Sequence, residues 1–328
     1  MKEKISEIKS LLQNSKDIVI TVHRGPDADA LGSALALSDI LKQLDHNVTV
    51  ISPNNYASFL HWMKGHDQVV VYSEDKEKAH SITDNADLIF LLDLNSLSRT
   101  SDYSSVLESS SAFRILIDHH LEVDNDAADI IISDSKSCST AKLLFKLIKH
   151  LGYKHLINID VAECIYAGIM TDTGSFKYSS TTSETHMVAA ELINLGANNS
   201  KIHDLIYDNY SEKRIKLLGY CLNEKLQVFS SLGSALISLT EEELKKFNFK
   251  KGDTEGIVNY ALSIEGIKFA VFIAEKEGMV KLSLRSKGDF QVNKIAKRYF
   301  NGGGHMNAAG GVSEFSVNET IKQVISIF

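Results

Sequence analysis

Between Asp17 and Asp118 the chain alternates short β-branched apolar runs with helical stretches, and few folds accommodate that alternation. Asp17–His23 (DIVITVH), His46–Ser52 (HNVTVIS), Asp67–Ser73 (DQVVVYS), Ala86–Leu94 (ADLIFLLDL) and Phe113–Asp118 (FRILID) read as strands. Ala30–Leu44 has helical apolar spacing, and Ser73–Ser81 is a polar helical connection. Strands separated by helices assemble into a parallel sheet through right-handed crossovers, with helices on both faces. The expected fold class is α/β.

From Ser139 the texture changes. A helix over Ser139–Gly152 ends at a glycine suited to a C-cap, a second lies within Asn158–Phe176, and a third runs over Thr182–Ala197. Ser200–Lys225 is helical and polar-apolar, suited to a connector. Strands then return. Leu226–Thr240 reads as a hairpin turning near Gly233, and Ile267–Gly288 as another turning at Glu277–Gly278. Gln291–Phe300 is a short basic helix, followed at once by NGGGHMNAAGG, Asn301–Gly311. The expected organisation is a parallel-sheet domain over 1–190, a helical linker over 191–225, a smaller α+β domain over 226–328, and a cleft between the two domains.

A length of 328 residues suits two domains, and 44% apolar residues suffice for their cores. No run approaches the roughly 20 apolar residues of a membrane span. The N-terminal stretch reads as an amphipathic helix too charged for a signal peptide, so a cytoplasmic location is expected. Cys138, Cys164 and Cys221 show no CxxC spacing and read as reduced, buried thiols. The net charge of −7 argues against coating of long nucleic acid. The charge is uneven: about −10 before Lys225 and about +3 from there on.

Ligands of open parallel sheets bind beyond the carboxyl ends of the strands. The first strand runs into His23, Asp27 and Asp29, the fourth into Asp93, and the fifth into Asp118, His119 and His120; a helix ends at Asp172. Taken singly, Asp27 or Asp29 reads as a helix N-cap, and Asp93 or Asp172 as a turn residue. Gathered on one edge, so many carboxylates repel unless cations intervene. Carboxylates with imidazoles and no thiolate suit Mn²⁺ or Mg²⁺, with Co²⁺ or Zn²⁺ as further choices. Six candidate ligands suit two ions sharing one carboxylate, an arrangement that favours phosphoester or phosphoanhydride hydrolysis by in-line attack of an activated hydroxide. In the C-terminal part, the glycines of NGGGH let backbone approach a ligand and offer N–H donors, while His305 and Arg285 suit phosphate. No GK[ST] follows, so this is no Walker A loop.

These motifs, HRGPDADALGS, the Asp93 of LLDLNS, IDHH, the Asp172 of MTDTGSF and GGGHMNAAG, resemble those of the DHH phosphoesterase family, specifically its nanoRNase/pAp-phosphatase (NrnA-like) branch. The resemblance spans nearly the whole chain, with the motifs in family order. It implies a catalytic DHH domain followed by a DHH-associated domain of the GGGH type. It implies that His23, Asp27 and Asp93 hold one metal ion and that Asp29, Asp93, His119 and Asp172 hold a second, manganese being usual. His120 would attend the scissile phosphate, Asp118 would orient an imidazole, and Arg285, Gly303, Gly304 and His305 would grip the far end of the substrate. The implied activity is hydrolysis of short oligonucleotides to 5′-mononucleotides, with 3′-phosphoadenosine 5′-phosphate (pAp) as a further substrate; a homodimer is compatible with the resemblance. A stand-alone phosphodiesterase for cyclic-di-AMP or pApA is the nearest alternative. A non-catalytic nucleotide-binding module is disfavoured because every metal-ligand position is kept.

Overall fold

The computed structural model describes residues 2–14, 16–250, 252–276 and 278–327. The chain divides into two compact units, Met1–Asn209 and Tyr210–Phe328. The division falls inside the stretch read above as a linker.

The first unit contains α1 (Lys2–Leu11), β1 (Asp17–Val22), α2 (Ala28–Gln43), β2 (Asn47–Ser52), β3 (Val70–Val71), α3 (Lys76–Asp84), β4 (Leu88–Leu92), α4 (Ser104–Ser109), β5 (Phe113–Asp118), β6 (Ile130–Ser133), α5 (Thr140–Leu151), α6 (Ile159–Asp172), α7 (Ser183–Asn194) and α8 (Asn199–Tyr207). All six strands are parallel, in the order β3-β2-β1-β4-β5-β6. The order reverses between β1 and β4, which opens a crevice at their carboxyl ends. Helices on both faces explain why β4 is apolar throughout rather than alternating. Leu31, Leu144 and Ile165 of α2, α5 and α6 cover one face, and Ala79 and Leu107 of α3 and α4 cover the other.

The third strand is shorter than its sequence suggests, because His66–Gln68 coil into a 3-10 turn and leave only Val70–Val71 extended. The sixth strand, β6, is an addition to the reading. Gly152 caps α5 at φ +88°, as its position implies. Helices α2 and α6 approach closely through glycines. A Cβ on Gly32 would lie 2.5 Å from the Cys164 carbonyl oxygen, and one on Gly168 would lie 2.7 Å from Asp29 Oδ1.

The second unit contains α9 (Glu212–Tyr220), β7 (Leu226–Phe229), β8 (Ser234–Leu239), α10 (Glu241–Lys246), α11 (Ile257–Ser263), β9 (Phe269–Lys276), β10 (Met279–Ser286), α12 (Val292–Tyr299), β11 (Gly303–His305), β12 (Ala308–Ser313) and α13 (Val317–Ile327). Its mixed sheet has the order β11-β12-β10-β9-β8-β7, with β8 and β9 parallel. Both expected hairpins are present as β7–β8 and β9–β10. Gly233 turns the first at φ +59° and Gly278, at φ +73°, belongs to the second; Glu277 lies outside the described residues. The glycine cluster, for which the sequence suggests ligand binding and no regular element, forms the hairpin β11–β12 at the sheet edge. Residues of α12 and α13 pack with Leu282 and Leu284 on one face, while Leu244 and Ala261 of α10 and α11 pack with Phe272 and Ala274 on the other. The three cysteines are free and buried. Among the described residues no helix is long and apolar enough to cross a membrane.

Candidate metal centre

The carboxyl ends of β1, β4 and β5 bring together the acids and imidazoles singled out in the sequence. His23 follows β1, and its Nε2 lies 3.4 Å from Asp93 Oδ2. Asp27 caps α2, accepting from the amides of Asp29 and Ala30 at 3.0 Å each. The N-cap reading of Asp27 is therefore correct, and it coexists with membership of a ligand-like group. His23, Asp27 and Asp93 offer donor atoms within 4.8 Å of one another, and so do Asp29, Asp93 and His119. Asp93 belongs to both groups. Its backbone sits at φ +59°, in the left-handed region that Asp tolerates better than most residues. A bond from its amide to the Ile117 carbonyl (3.1 Å) holds it there.

Asp29 is completely buried. Its oxygens accept from the amides of Thr140 (2.7 Å) and Ala141 (2.9 Å), so the carboxylate sits on the N-terminus of α5. Thr140 also donates its hydroxyl to Asp93 Oδ1 at 2.8 Å. His119 Nε2 lies 3.2 Å from Asp172 Oδ2, 3.5 Å from Asp93 Oδ1 and 3.8 Å from Asp29 Oδ2. Its Nδ1 faces the Ser137 carbonyl at 3.3 Å, which calls for a proton on Nδ1 and turns Nε2, the nitrogen that carries the lone pair in the neutral ring, towards the acids. Asp172 ends α6, and a left-handed turn of Gly174, Ser175 and Phe176 (φ +57°, +61°, +64°) follows it. Bonds from Ser175 N to the Met170 carbonyl (2.8 Å) and from Phe176 N to Thr173 Oγ1 (3.0 Å) secure that turn.

Asp118 offers a donor atom within 4.8 Å of those of Asp93 and His120, a third group that contains Asp93. It accepts from His120 twice, at Nδ1 (2.7 Å) and at the backbone amide (3.0 Å), which fixes the ring with Nε2 outward. The two adjacent histidines are thus held by different partners: His119 by a backbone carbonyl, His120 by a carboxylate.

The acids and imidazoles of the cluster perturb one another strongly. Burial pushes the Asp29 carboxyl well above its ordinary value, and the nearby Asp93 and Asp172 push it the same way. Burial likewise raises Asp172, to about 6, against the pull of His119. Burial would lower His119, but Asp172, Asp93 and Asp29 together raise it to about 11. Burial would lower His23 too, and its contact with Asp93 outweighs that and raises it to about 9. Buried carboxylates and imidazoles without a thiolate fit hard or borderline divalent ions, so the donor set fits the metal role.

The remaining residues lie in the second unit. Arg285 pairs with Ala308, and Ala308 pairs in turn with His305. Directly opposed residues share a face, so Arg285 and His305 flank Ala308 on one side of the sheet. Gly303 is exposed, and a Cβ there would meet open space. Gly304 has a different reason to be glycine: at φ +139°, a Cβ would stand 2.5 Å from the Ala308 carbonyl oxygen. Asn307 fastens the hairpin turn, donating to Ser286 Oγ (2.9 Å) and the Gly288 carbonyl (2.8 Å).

Thr140, Ser137 and Asn307 escaped the sequence reading. The run Cys138-Ser139-Thr140 does carry an N-cap signal, and Ser139 accepts from the Lys142 amide. What that signal lacks is any pointer to Asp29, 111 residues earlier.

Comparison with known proteins accords with this arrangement. The DHH family, N-terminal domain, matches residues 17–169, and the DHHA1 domain matches residues 233–328. The chain is 30% identical to the bifunctional oligoribonuclease and PAP phosphatase NrnA of Bacillus subtilis, over 89% of this chain and 88% of that one. It is 31% identical to the protein of the same description from Thermus thermophilus, over 89% and 83%. The crystal structure of an exopolyphosphatase-related protein from Bacteroides fragilis superimposes with a TM-score of 0.95 at 40% identity, covering 99% of this chain and 95% of that one.

Proposed function

This chain belongs to the DHH family and is a metal-dependent phosphoesterase, and from that membership we propose that it hydrolyses short oligonucleotides to 5′-mononucleotides and removes a phosphate from pAp. The observation that carries the reading is the shared position of Asp93 in the donor group with His23 and Asp27 and in the one with Asp29 and His119. Two divalent ions, Mn²⁺ in the first instance, would be held by His23 and Asp27, by Asp29, His119 and Asp172, and by Asp93 with either set, and would supply the charge that polarises a phosphoryl oxygen and lowers the pKa of water.

The chain's own groups do the rest. The Ser137 carbonyl keeps His119 in the tautomer with Nε2 available. Thr140 and the α5 amides orient Asp93 and Asp29 so that neither carboxylate rotates away. Asp118 fixes the His120 ring with Nε2 outward, placed to donate a hydrogen bond or a proton to the phosphate or leaving oxygen. Arg285, His305 and the backbone of Gly303 and Gly304 bind the part of the substrate remote from the reacting bond.

The test is a substrate panel with Mn²⁺: a labelled dinucleotide, pAp, a cyclic dinucleotide and a long single strand. The dinucleotide and pAp are expected to be consumed, with the long strand nearly untouched. Rapid cleavage of only the long strand overturns the proposal, and rapid cleavage of only the cyclic dinucleotide replaces it with the cyclic-dinucleotide reading.

A further inference from the structure

His23 and Asp27 stand at the two ends of one short loop, and the backbone between them has few ways to be held. Residue 26 is proline, so only Arg24 and Gly25 can donate a backbone hydrogen bond there. Both do so, to neighbours on opposite sides of β1. The Arg24 amide donates to the carbonyl of Arg99, which follows β4, at 2.8 Å. The Gly25 amide donates to Oδ1 of Asn54, which follows β2, at 2.6 Å. Asn54 is itself secured: its carbonyl accepts from the hydroxyl of the buried Ser52 at 2.6 Å, and its Nδ2 donates to the Asn55 carbonyl at 3.0 Å. The Gly25 amide and the Arg24 carbonyl belong to one planar peptide unit, so whatever fixes one aims the other. His23 Nδ1 lies 3.0 Å from that carbonyl. A carbonyl only accepts, so the contact calls for a proton on Nδ1 and turns Nε2, the lone-pair nitrogen of the neutral ring, towards Asp93 Oδ2 at 3.4 Å.

Resting on the two-ion reading above, we propose that Asn54 is a positioning residue for the ion held by His23 and Asp27. It acts through the Arg24–Gly25 peptide: the Asn54 side chain fixes the plane, the plane aims the Arg24 carbonyl, and the carbonyl sets the tautomer and direction of the His23 ring. Gly25 makes such a clamp necessary. It stands at φ +70°, and a glycine passes readily between positive and negative φ, so this peptide is free to rotate unless it is held. Water can satisfy the Gly25 amide in place of Asn54, but it does not fix the angle of the peptide plane. Asn54 contributes no ligand atom and takes no part in the chemical step.

The test is Mn²⁺ binding by calorimetry in a double-mutant cycle with His23. Asn54→Leu and Asn54→Ala remove the acceptor, and Asn54→Asp keeps it. Each acceptor-less variant is expected to weaken one of the two Mn²⁺ sites about three- to tenfold, the range for one lost hydrogen bond, with the circular-dichroism spectrum unchanged. Asn54→Asp is expected to bind at least as tightly as wild type. In a His119→Ala background, which disables the other site, the same loss persists. In a His23→Ala background, Asn54→Leu changes the remaining Mn²⁺ affinity by less than twofold. Unchanged affinity in both acceptor-less variants, an equal loss in Asn54→Asp, or a loss of the same size with and without His23 overturns the inference. The wild-type titration tests the underlying reading separately. Fewer than two ions overturns that reading and this inference with it, whereas two ions bound equally well by wild type and Asn54→Leu overturns this inference alone.

Discussion

Thr140 shows how much of the centre depends on a residue that contributes no ligand. Its amide holds Asp29 and its hydroxyl holds Asp93, so one backbone position orients two carboxylates. Thr140→Val keeps the shape and the amide bond but removes the hydroxyl. Mn²⁺ affinity, read by calorimetry, is expected to fall about tenfold with the circular-dichroism spectrum unchanged; undiminished affinity would leave the hydroxyl without the role given to it. The neighbouring histidines separate in the same way. Replacing His119 by Ala is expected to lower metal affinity. Replacing Asp118 by Ala, which strips His120 Nδ1 of its acceptor, is expected to lower kcat about 10- to 100-fold with metal retained. Equal loss of metal in both variants contradicts this division. The acids and imidazoles were legible in the sequence because they stand at strand ends, whereas Thr140 was not, because its contacts join residues far apart in the chain.

Close packing of α2 on α6 delivers Asp29 and Asp172 to the same pocket, and two glycines permit it. Gly168→Ala places a methyl against Asp29 Oδ1 and Ala141 Cβ, each at 2.7 Å. A destabilisation of about 1–3 kcal/mol is expected in urea unfolding, together with weaker Mn²⁺ binding than in Gly32→Ala, whose methyl meets Cys164 rather than a ligand. Comparable metal affinity in the two variants would disconnect the helix contact from the centre. In the second unit α10 carries its own pH dependence. Burial would raise Glu243, but Lys225 (2.8 Å), Tyr220 (2.6 Å) and the Thr240 amide (2.9 Å) hold it down at about 2, below its ordinary 4.5. A carboxylate with a depressed folded pKa stabilises above its unfolded value and loses that contribution as pH falls. The stability gap between wild type and Glu243→Gln is therefore expected to shrink between pH 5 and 2; a constant gap across that window contradicts it. Elements with clear periodicity, such as β1, β5 and α5, were readable before the structure. β6 escapes a sequence reading because Ile130–Ser133 is only four residues long, and β11–β12 escapes it because its glycines carry no strand pattern.

Two units built on unlike sheets divide the work proposed here: a parallel sheet whose crevice gathers ligands, and a mixed sheet that carries Arg285 and His305 on one face. The alternation in the first third of the sequence implied the parallel sheet, and the hairpin signals implied the second. The strand order that opens a crevice between β1 and β4 comes from long-range pairing, which no local pattern encodes. Everything proposed for the reaction passes through Asp93, the residue common to both donor groups. The number of Mn²⁺ ions bound per chain at saturation, compared between wild type and Asp93→Ala by equilibrium dialysis, tests that dependence. The account predicts two ions for wild type and loss of both on substitution, with folding retained by circular dichroism. A single ion in wild type, or two ions still bound without the Asp93 carboxylate, would contradict it.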